Sequence, residues 1–436
     1  MNLPAELQLL VDAVLIVGLI AMLIMNWRVH KVVSQALSTA RGTSIAERWS
    51  AAITLLGHSN APNASSVESR LGGIYAVEQV ARESLAYRAP TMELLAAYVR
   101  QHAPVGSTGI EPNVEIQSVL MVLGRGGVDG LDLRRTALWG ADLEGSNLVG
   151  VDFSESRLSG ARFSGMRLMR ARFRNANLVE ANLAGADLSG AALPGARLGG
   201  ADLSGAILRG ADLTGADLSR ARLRGADLRD AQLTGANLGN AILDGVDLTG
   251  VILAGVMLEG ASLKGATLAR TDFQQASIAR ADLSTANLRG ALLRGLDLTT
   301  VRLQQAILSE ADLGHTILRG ADLRGVQLRE ASLYLADLQG ATLQGVSLNG
   351  SDLIGANLQG TNLERANLTG ASLIGADLRH ANLVDATLDN ADLERAELGG
   401  ATMIGATTRG SSWREARLIG AILPDDFPRI SHGTST

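Results

Sequence analysis

The sequence predicts a mainly β solenoid, and three observations lead to that fold class. Between residues 131 and 424 every fifth residue, with the exception of Thr408, is apolar, giving 59 centres from Leu133 to Leu423, of which 51 are leucine. A small residue, usually alanine, stands two positions before most centres, and 34 of the run's 38 glycines stand two positions after one. A five-residue period fits neither a strand nor a helix. Each short unit must bury its leucine against other units, so the run predicts a tandem array wound into a solenoid.

Units such as Ala211-Asp212-Leu213-Thr214-Gly215 resemble the A(D/N)LxG unit of pentapeptide-repeat proteins. The resemblance implies a right-handed quadrilateral β-helix with four units per coil, and hence about 15 coils over residues 131–424. It also implies that the centres and the small residues before them point inward, while the other three positions face solvent. With stacked strands about 4.8 Å apart, such a rod is roughly 70 Å long.

The first 31 residues predict a membrane anchor. From Leu7 to Trp27 the chain is almost wholly apolar, broken only by Gln8, Asp12 and Asn26. A helix of this length spans roughly 30 Å, the thickness of a hydrocarbon core. A cleaved signal peptide would carry basic residues before the apolar stretch, and none is present. The expectation is therefore a single span across the lipid bilayer at residues 7–27.

The charges beside this span predict its orientation. Two acidic residues, Glu6 and Asp12, lie at its start, and the residues after it are basic. Because positive charge is retained on the cytoplasmic side, the C-terminal bulk is expected in the cytoplasm, beneath the inner membrane of a bacterium. The basic residues that follow the span are Arg28, Lys31, Arg41 and Arg48.

Residues 32–130 predict a small α-helical module. A capping box at Ser44 and Glu47 starts the first helix, which Gly57 ends. Second, third and fourth helices are predicted from Ser65, from Pro90 to His102, and from Pro112 to Leu123. The pair Gly72-Gly73 within the second helix predicts another helix packed closely against it. Two roles stay open for this module: a cap on the end of the solenoid, or a docking surface.

The composition argues against an enzyme. The chain has no cysteine, its six histidines are scattered without ligand spacing, and no phosphate-binding loop is present. No catalytic, cofactor-binding or metal-binding residue is therefore predicted, and no cofactor is expected.

The net charge of the repeat run indicates whether the rod can mimic DNA. Some pentapeptide-repeat proteins mimic DNA with an acidic rod and bind type II topoisomerases, but residues 131–424 hold 32 acidic against 29 basic residues. A duplex carries one charge per about 1.7 Å, so mimicry and nucleic-acid binding are disfavoured. An acidic column along one side would favour them. The spacing places seven aspartates on one side, interrupted by Arg172, Ile252 and Leu292: Asp132, Asp152, Asp212, Asp272, Asp312, Asp352 and Asp392.

Two sets of outward residues are candidate contact surfaces, although ordinary surface variation also accounts for them. Arginines before four successive centres, with two neighbours, predict a basic belt around about one coil that contacts anionic lipid or an acidic partner. A second set predicts an apolar contact patch. The belt consists of Arg157, Arg162, Arg167, Arg170, Arg172 and Arg174, and the patch of Ile242, Ile252 and Met257.

The repeat pattern decays at the far end, where Thr408 and Trp413 replace leucine. This decay predicts a C-terminal cap before a tail at residues 425–436, and in relatives this end can form a homodimer. Taken together, the sequence predicts a membrane-anchored cytoplasmic scaffold that presents a rigid rod to an unidentified protein partner. The alternative is a DNA-mimicking or topoisomerase-binding regulator.

Overall fold

The computed structural model describes residues 44–57, 67–107, 111–425 and 427. The predicted anchor at residues 1–31 and most of the predicted C-terminal tail lie outside the described residues. Within the described part of the chain, no helix combines the length and the apolar character needed to cross a membrane.

Four helices form the N-terminal module: α1 Ile45–Gly57, α2 Val67–Glu83, α3 Leu85–His102 and α4 Val114–Gly126. The predicted capping box is confirmed, since Ser44 N–H donates to Glu47 Oε2 at 2.8 Å and Glu47 N–H donates to Ser44 Oγ at 3.3 Å. The two reciprocal bonds satisfy backbone donors that the first turn of α1 would otherwise leave free.

Three helix boundaries differ from the prediction. Helix α4 ends at Gly126 rather than Leu123, and Gly127, in the left-handed conformation, follows it as the C-cap. Helix α3 begins at Leu85 rather than Pro90, because Pro90 and Ala86 are both exposed and water can replace the missing hydrogen bond to the Ala86 carbonyl. Helix α4 begins after Asn113, whose Oδ1 accepts a hydrogen bond from Ile116 N–H at 2.9 Å. An asparagine that caps in this way outweighs the proline before it as the start signal.

The glycine pair in α2 has the predicted consequence. A Cβ on Gly73 would lie 2.9 Å from the Leu56 backbone nitrogen and 3.1 Å from Leu55 Cβ. Helix α1 therefore packs directly on the backbone of α2, and a larger residue would push the two helices apart. The gain in packing offsets the low helix propensity of glycine.

From residue 131 the chain is a four-sided β-helix. Most of the outward residues directly before a centre pair in parallel with the residue 20 positions later, as in Ala192 with Asp212 and Asp212 with Gln232. A coil therefore contains four five-residue units, and coil 1 is residues 131–150, coil 2 is 151–170, and so on. Each side contributes a single bridging residue per coil, so the strands are very short.

The corners explain the glycines. At each corner the N–H of one unit's alanine donates to the preceding leucine carbonyl, as Ala216 N–H does to Leu213 at 2.9 Å. The residue directly before that alanine, which is the second of the two central residues of the turn, has a positive φ: +63° at Gly215 and +60° at Asp230. Turns of this kind require a residue in the left-handed backbone conformation, which glycine adopts without steric cost.

The bore is filled by the centres and by the small residues before them. Leucines such as Leu208 and alanines such as Ala206 have no accessible surface. Phe153 and Phe173 stack in adjacent coils with ring centroids 5.5 Å apart. A second large residue on each side would overfill so narrow a core, which is the reason for alanine.

Hydrogen bonds join the helical module to coil 1, in place of the hydrogen bonds that a preceding coil would make. Ala137 N–H donates to the Ala103 carbonyl at 2.8 Å, and Asn147 N–H donates to the Gly124 carbonyl at 3.0 Å. On a third side, the Gln117 side-chain amide accepts from Asp142 N–H at 3.1 Å and donates to the Asp142 carbonyl. The apolar cores of module and rod are continuous. The module therefore caps the N-terminal end of the solenoid.

The other end is covered differently. Trp413 is buried at its centre and Phe427 packs edge-on against it, with ring centroids 4.9 Å apart. The last centre, Leu423, is exposed, and none of the described residues forms a further coil over it. Ile419 beside it is 85 % exposed, so this end is only partly covered by described residues.

Candidate interaction surfaces

The outward aspartates and asparagines have a structural role that the sequence reasoning missed. Their Oδ1 atoms accept a hydrogen bond from the backbone N–H of the residue two positions later. Asp187 accepts one from Ser189 at 3.0 Å, and Asn182 accepts one from Ala184 at 3.1 Å. Each such bond stabilises the following corner. The signal was the frequency of Asp and Asn, the residues that form Asx turns, at this position.

Ion pairs along the rod also hold these carboxylates in their charged form. Two hydrogen bonds from the Arg324 guanidinium lower the pKa of Asp322 to about 2. Arg229 and Arg209 likewise lower the pKa of Asp227. Much of the acidic surface is thus neutralised by neighbouring arginines, which is unlike a DNA surface.

The six belt arginines are all exposed and surround the rod as the spacing predicts. Three of them already have contacts: Arg162 pairs with Glu144 at 2.7 Å, Arg172 Nη1 lies 3.6 Å from Asp152, and Arg157 lies over the Trp139 ring. Within the described residues, no ion pair engages the other three, Arg167, Arg170 and Arg174. These three are the arginines free to contact another molecule.

The three apolar residues do not form one surface. Met257 and Ile252 lie on adjacent sides of the rod, and Ile242 lies on the side opposite Ile252. Successive units turn successive corners, so residues ten positions apart point in opposite directions. Ile252 is 58 % exposed, Met257 is 41 % exposed, and Ile242 is half-buried.

One side of the rod, here called the first side, contains the seven aspartates of the predicted column. It consists of every twentieth residue from Asp132 to Ser412, and Arg172, Ile252 and Leu292 interrupt the aspartates as expected. The corners beside Arg172 add Arg170, at the end of coil 2, and Arg174, in coil 3. Farther along, its corners carry Tyr334, Ile354 and Ile374.

The helical module holds two buried carboxylates that sequence reasoning did not single out. Glu115 on α4 accepts two hydrogen bonds from Arg70 on α2, at 2.6 and 2.9 Å, and one from the Tyr98 hydroxyl at 3.1 Å. Desolvation, followed by the charge of Glu115, raises the pKa of Tyr98 to about 12. Glu78 accepts from Arg82 and Arg125 in the same way. Apart from the Arg82–Glu78 pair within α2, these pairings join different helices, so no local pattern predicts them.

No group of three or more His, Cys, Asp or Glu side chains converges as a metal site within the described ranges. One depression on the rod lies along a corner whose lining includes the small residues Gly199, Ser219 and Gly239. It is shallow and open, and its polar side chains bond to one another, as Asn237 does to Asp217 at 3.1 Å. It is a surface furrow between larger corner residues.

The chain was compared with known families and structures. It matches the sequence profile described as pentapeptide repeats (8 copies) over well more than half of its length. The search among curated proteins found no match. The matched segments are residues 129–165, 167–205, 193–230, 231–268, 258–295, 266–305, 297–333, 306–345, 331–370 and 371–410.

Two solved structures are among those similar to the chain. Full-length QnrB1, a plasmid-mediated fluoroquinolone resistance protein, is 22 % identical, with 45 % of this chain and 90 % of that one covered and a TM-score of 0.20. HetL from the cyanobacterium Nostoc sp. strain PCC 7120, a pentapeptide repeat protein involved in heterocyst differentiation regulation, is 30 % identical. The match covers 69 % of this chain and 92 % of HetL, with a TM-score of 0.10.

The extent of the profile match agrees with the coil geometry, in which each unit places one leucine in the bore and turns one corner. The chain belongs to the pentapeptide-repeat family, with the right-handed β-helix of that family.

Proposed function

We propose that this protein is a membrane-anchored scaffold, held at the cytoplasmic face of the inner membrane by residues 7–27, that presents its rod to a protein partner. The observation that supports this most is the junction of module and rod. Backbone hydrogen bonds on two sides of coil 1, the Gln117 side chain on a third, and a shared apolar core join the module to the rod. Whatever fixes the module in place therefore fixes the orientation of the whole rod.

The surface of the rod suits binding rather than catalysis. Its outward positions are exposed side chains on regular sides, and its depressions are open furrows. We assign contact with an acidic surface, either anionic lipid or an acidic protein, to Arg167, Arg170 and Arg174, because these are exposed and no ion pair among described residues occupies them.

The anchor is tested with the full chain. Replacing Leu15→Arg and Leu19→Arg together places two charges at the centre of the predicted span, each costing about 2.5 to 3.5 kcal/mol in insertion. The unaltered chain should float with membranes in a density gradient, and the double variant should remain soluble. A matched control is Leu→Ala at both positions, which should still float. An unaltered chain that does not float would exclude the membrane part of the proposal.

The partner is tested by photo-crosslinking in cells. A photoreactive residue at exposed Arg167 should capture a specific protein, whereas one at buried Leu198 should capture none. Capture of a type II topoisomerase would instead support the alternative, a topoisomerase-binding regulator. We rank that alternative second because arginine pairs neutralise much of the acidic surface.

A further inference from the structure

The helical module has a groove between α1 and α3. Both helices pack on α2, and no Cα atom of one lies within 8 Å of a Cα atom of the other. Side chains bridge their N-terminal ends: Trp49 Nε1–H donates to Thr91 Oγ1 at 3.1 Å, and the Trp49 ring lies 5.3 Å from the Tyr87 ring. Toward their C-terminal ends the groove opens. Its lining there is mostly apolar and includes Ile53, Leu56, Leu94, Ala97, Tyr98 and His102.

This groove is an uncovered part of the apolar core of the module. Ile53 and Leu94 pack against that core and are still partly exposed. At the end of the groove the His102 ring stacks on the Tyr98 ring, with centroids 3.9 Å apart. Aliphatic side chains that face solvent from two neighbouring helices favour a further helix between them, because covering them removes apolar area from water.

The chain that leads into α1 has the pattern of such a helix. In residues 28–41, which lie outside the described residues, apolar side chains recur at i, i+3, i+4, i+7, i+8 and i+11, the spacing of one helical face. The opposite face of the pattern is polar, with Lys31, Gln35 and Ser38. The apolar face consists of Val29, Val32, Val33, Ala36, Leu37 and Ala40.

We infer that residues 28–41 form an amphipathic helix that fills the groove and runs antiparallel to α1 and α3. A helix over this segment is about 21 Å long, close to the length of the 13-residue α1. Gly42 and Thr43 remain for the connection to Ser44, which caps α1. A connection this short joins neighbouring antiparallel helices, and a glycine directly after a helix favours its end.

The side chains of the segment match the groove along its length. With this connection, Val33 lies level with Ile53, and all three valines of the segment fall in the open part of the groove. The part that the Trp49 ring already fills receives two alanines and Leu37. Most of the added side-chain volume therefore falls where the groove has space, as close packing requires.

Charge and composition also favour this segment as the occupant. The segment contains three basic residues and no acidic residue. Glu93, one turn before Ala97, is exposed, and no ion pair within the described part of the chain engages it. Residues 58–66 also start beside the groove, directly after Gly57, but they contain no apolar residue larger than proline and cannot fill it.

The packing does not depend on the membrane part of the proposed function, although it makes that function more specific. With residues 7–27 in the bilayer, the groove holds the next 14 residues against the module. No loop then separates the membrane span from the module. Since the module is hydrogen-bonded to coil 1, the rod has a fixed direction relative to the bilayer.

The chain has no cysteine, so disulfide formation in the full chain in detergent tests the packing directly. Ala97→Cys places one thiol in the groove, and Val32→Cys or Val33→Cys places the other on the apolar face of the segment. At least one of these pairs should link within a single chain about tenfold faster than a control pair, because a disulfide requires Cβ atoms about 4 Å apart. The control pair is Gln35→Cys with Ala97→Cys, in which the segment's thiol lies on the polar face. Two test pairs no faster than the control would overturn the inference, and so would linkage between two chains.

A charge on the apolar face tests the same contact in a second way. Ala36→Asp should slow the faster linkage about tenfold, because it would bury a carboxylate against the Trp49 ring. Ser38→Asp, on the polar face, is the matched control and should leave the rate unchanged. Equal rates in the two variants would contradict the packing. Linkage is measured separately from flotation, so a chain that links without floating would refute the anchor and support the packing.

Discussion

The helical module and the rod are stabilised in different ways. In the module each contact is particular: Glu115 is buried and bonded by Arg70 and Tyr98 from two other helices. In the rod one contact is repeated, a leucine against alanines and leucines of neighbouring units, and the ion pairs lie on the surface. In the module the fold depends on contacts between particular pairs of residues. In the rod it depends on which position of the five-residue unit a residue occupies.

The largest expected effect is in the module. Glu115→Ala should lower the free energy of unfolding by about 4 kcal/mol, because it leaves the Arg70 charge and the Tyr98 hydroxyl without their shared acceptor. Chemical denaturation followed by circular dichroism measures it. The matched control is Glu155→Ala, which removes an exposed pair with Arg135 and should leave the midpoint unchanged. Equal effects would contradict the contrast between the two regions.

In the rod, Leu208→Ala should cost about 3 kcal/mol, since it removes a fully buried side chain and leaves a cavity between coils. Hydrogen exchange should rise in the adjacent coils and much less near residue 400, because each coil contacts only its neighbours. Arg209→Ala, one position later and facing outward, should have little effect. Uniform loss of protection along the rod would show that the rod unfolds as one unit.

The junction of the two regions should respond more weakly. Gln117→Ala should cost about 2 kcal/mol, because the N–H and carbonyl of Asp142 lose their side-chain partner at the end of the sheet. Faster amide exchange at Asp142 is the measurement. Gln339→Ala, which removes a similar amide from an exposed contact with Gln359, should leave exchange at Asp142 unaltered.

The smallest effect concerns the corners. Gly215→Ala should cost about 1 kcal/mol, because the residue has a φ of +63° although nothing lies within 4 Å of a new Cβ. Gly57 at the end of α1 also has open space and carries no left-handed strain, so Gly57→Ala should be neutral or slightly stabilising. A denaturation midpoint that falls equally for both would mean that backbone strain is not the cause.

Much of the rod could be predicted because its information is local and repeated. The buried centres, the left-handed corners and the stacking of Phe153 on Phe173 all follow from position within a unit. The separation of Ile242 from Ile252 was harder to predict from the sequence. The two residues lie two corners apart and so on opposite sides of the rod, although they are close in sequence. In the module, Leu85 as the start of α3 and the pairing of Glu115 with Arg70 were not predictable. Both depend on exposure and on contacts between distant helices.

By itself the sequence determined the solenoid, its phase and its family resemblance, because a leucine every fifth residue leaves few ways to bury the side chains. It also determined α1 with its capping box and the close helix at Gly73. Only the tertiary structure decided that the module caps coil 1, since the bonds from Ala137 to Ala103 and from Asp142 to Gln117 join residues 25 or more positions apart. Contacts over that separation depend on how whole elements pack, which no local pattern encodes.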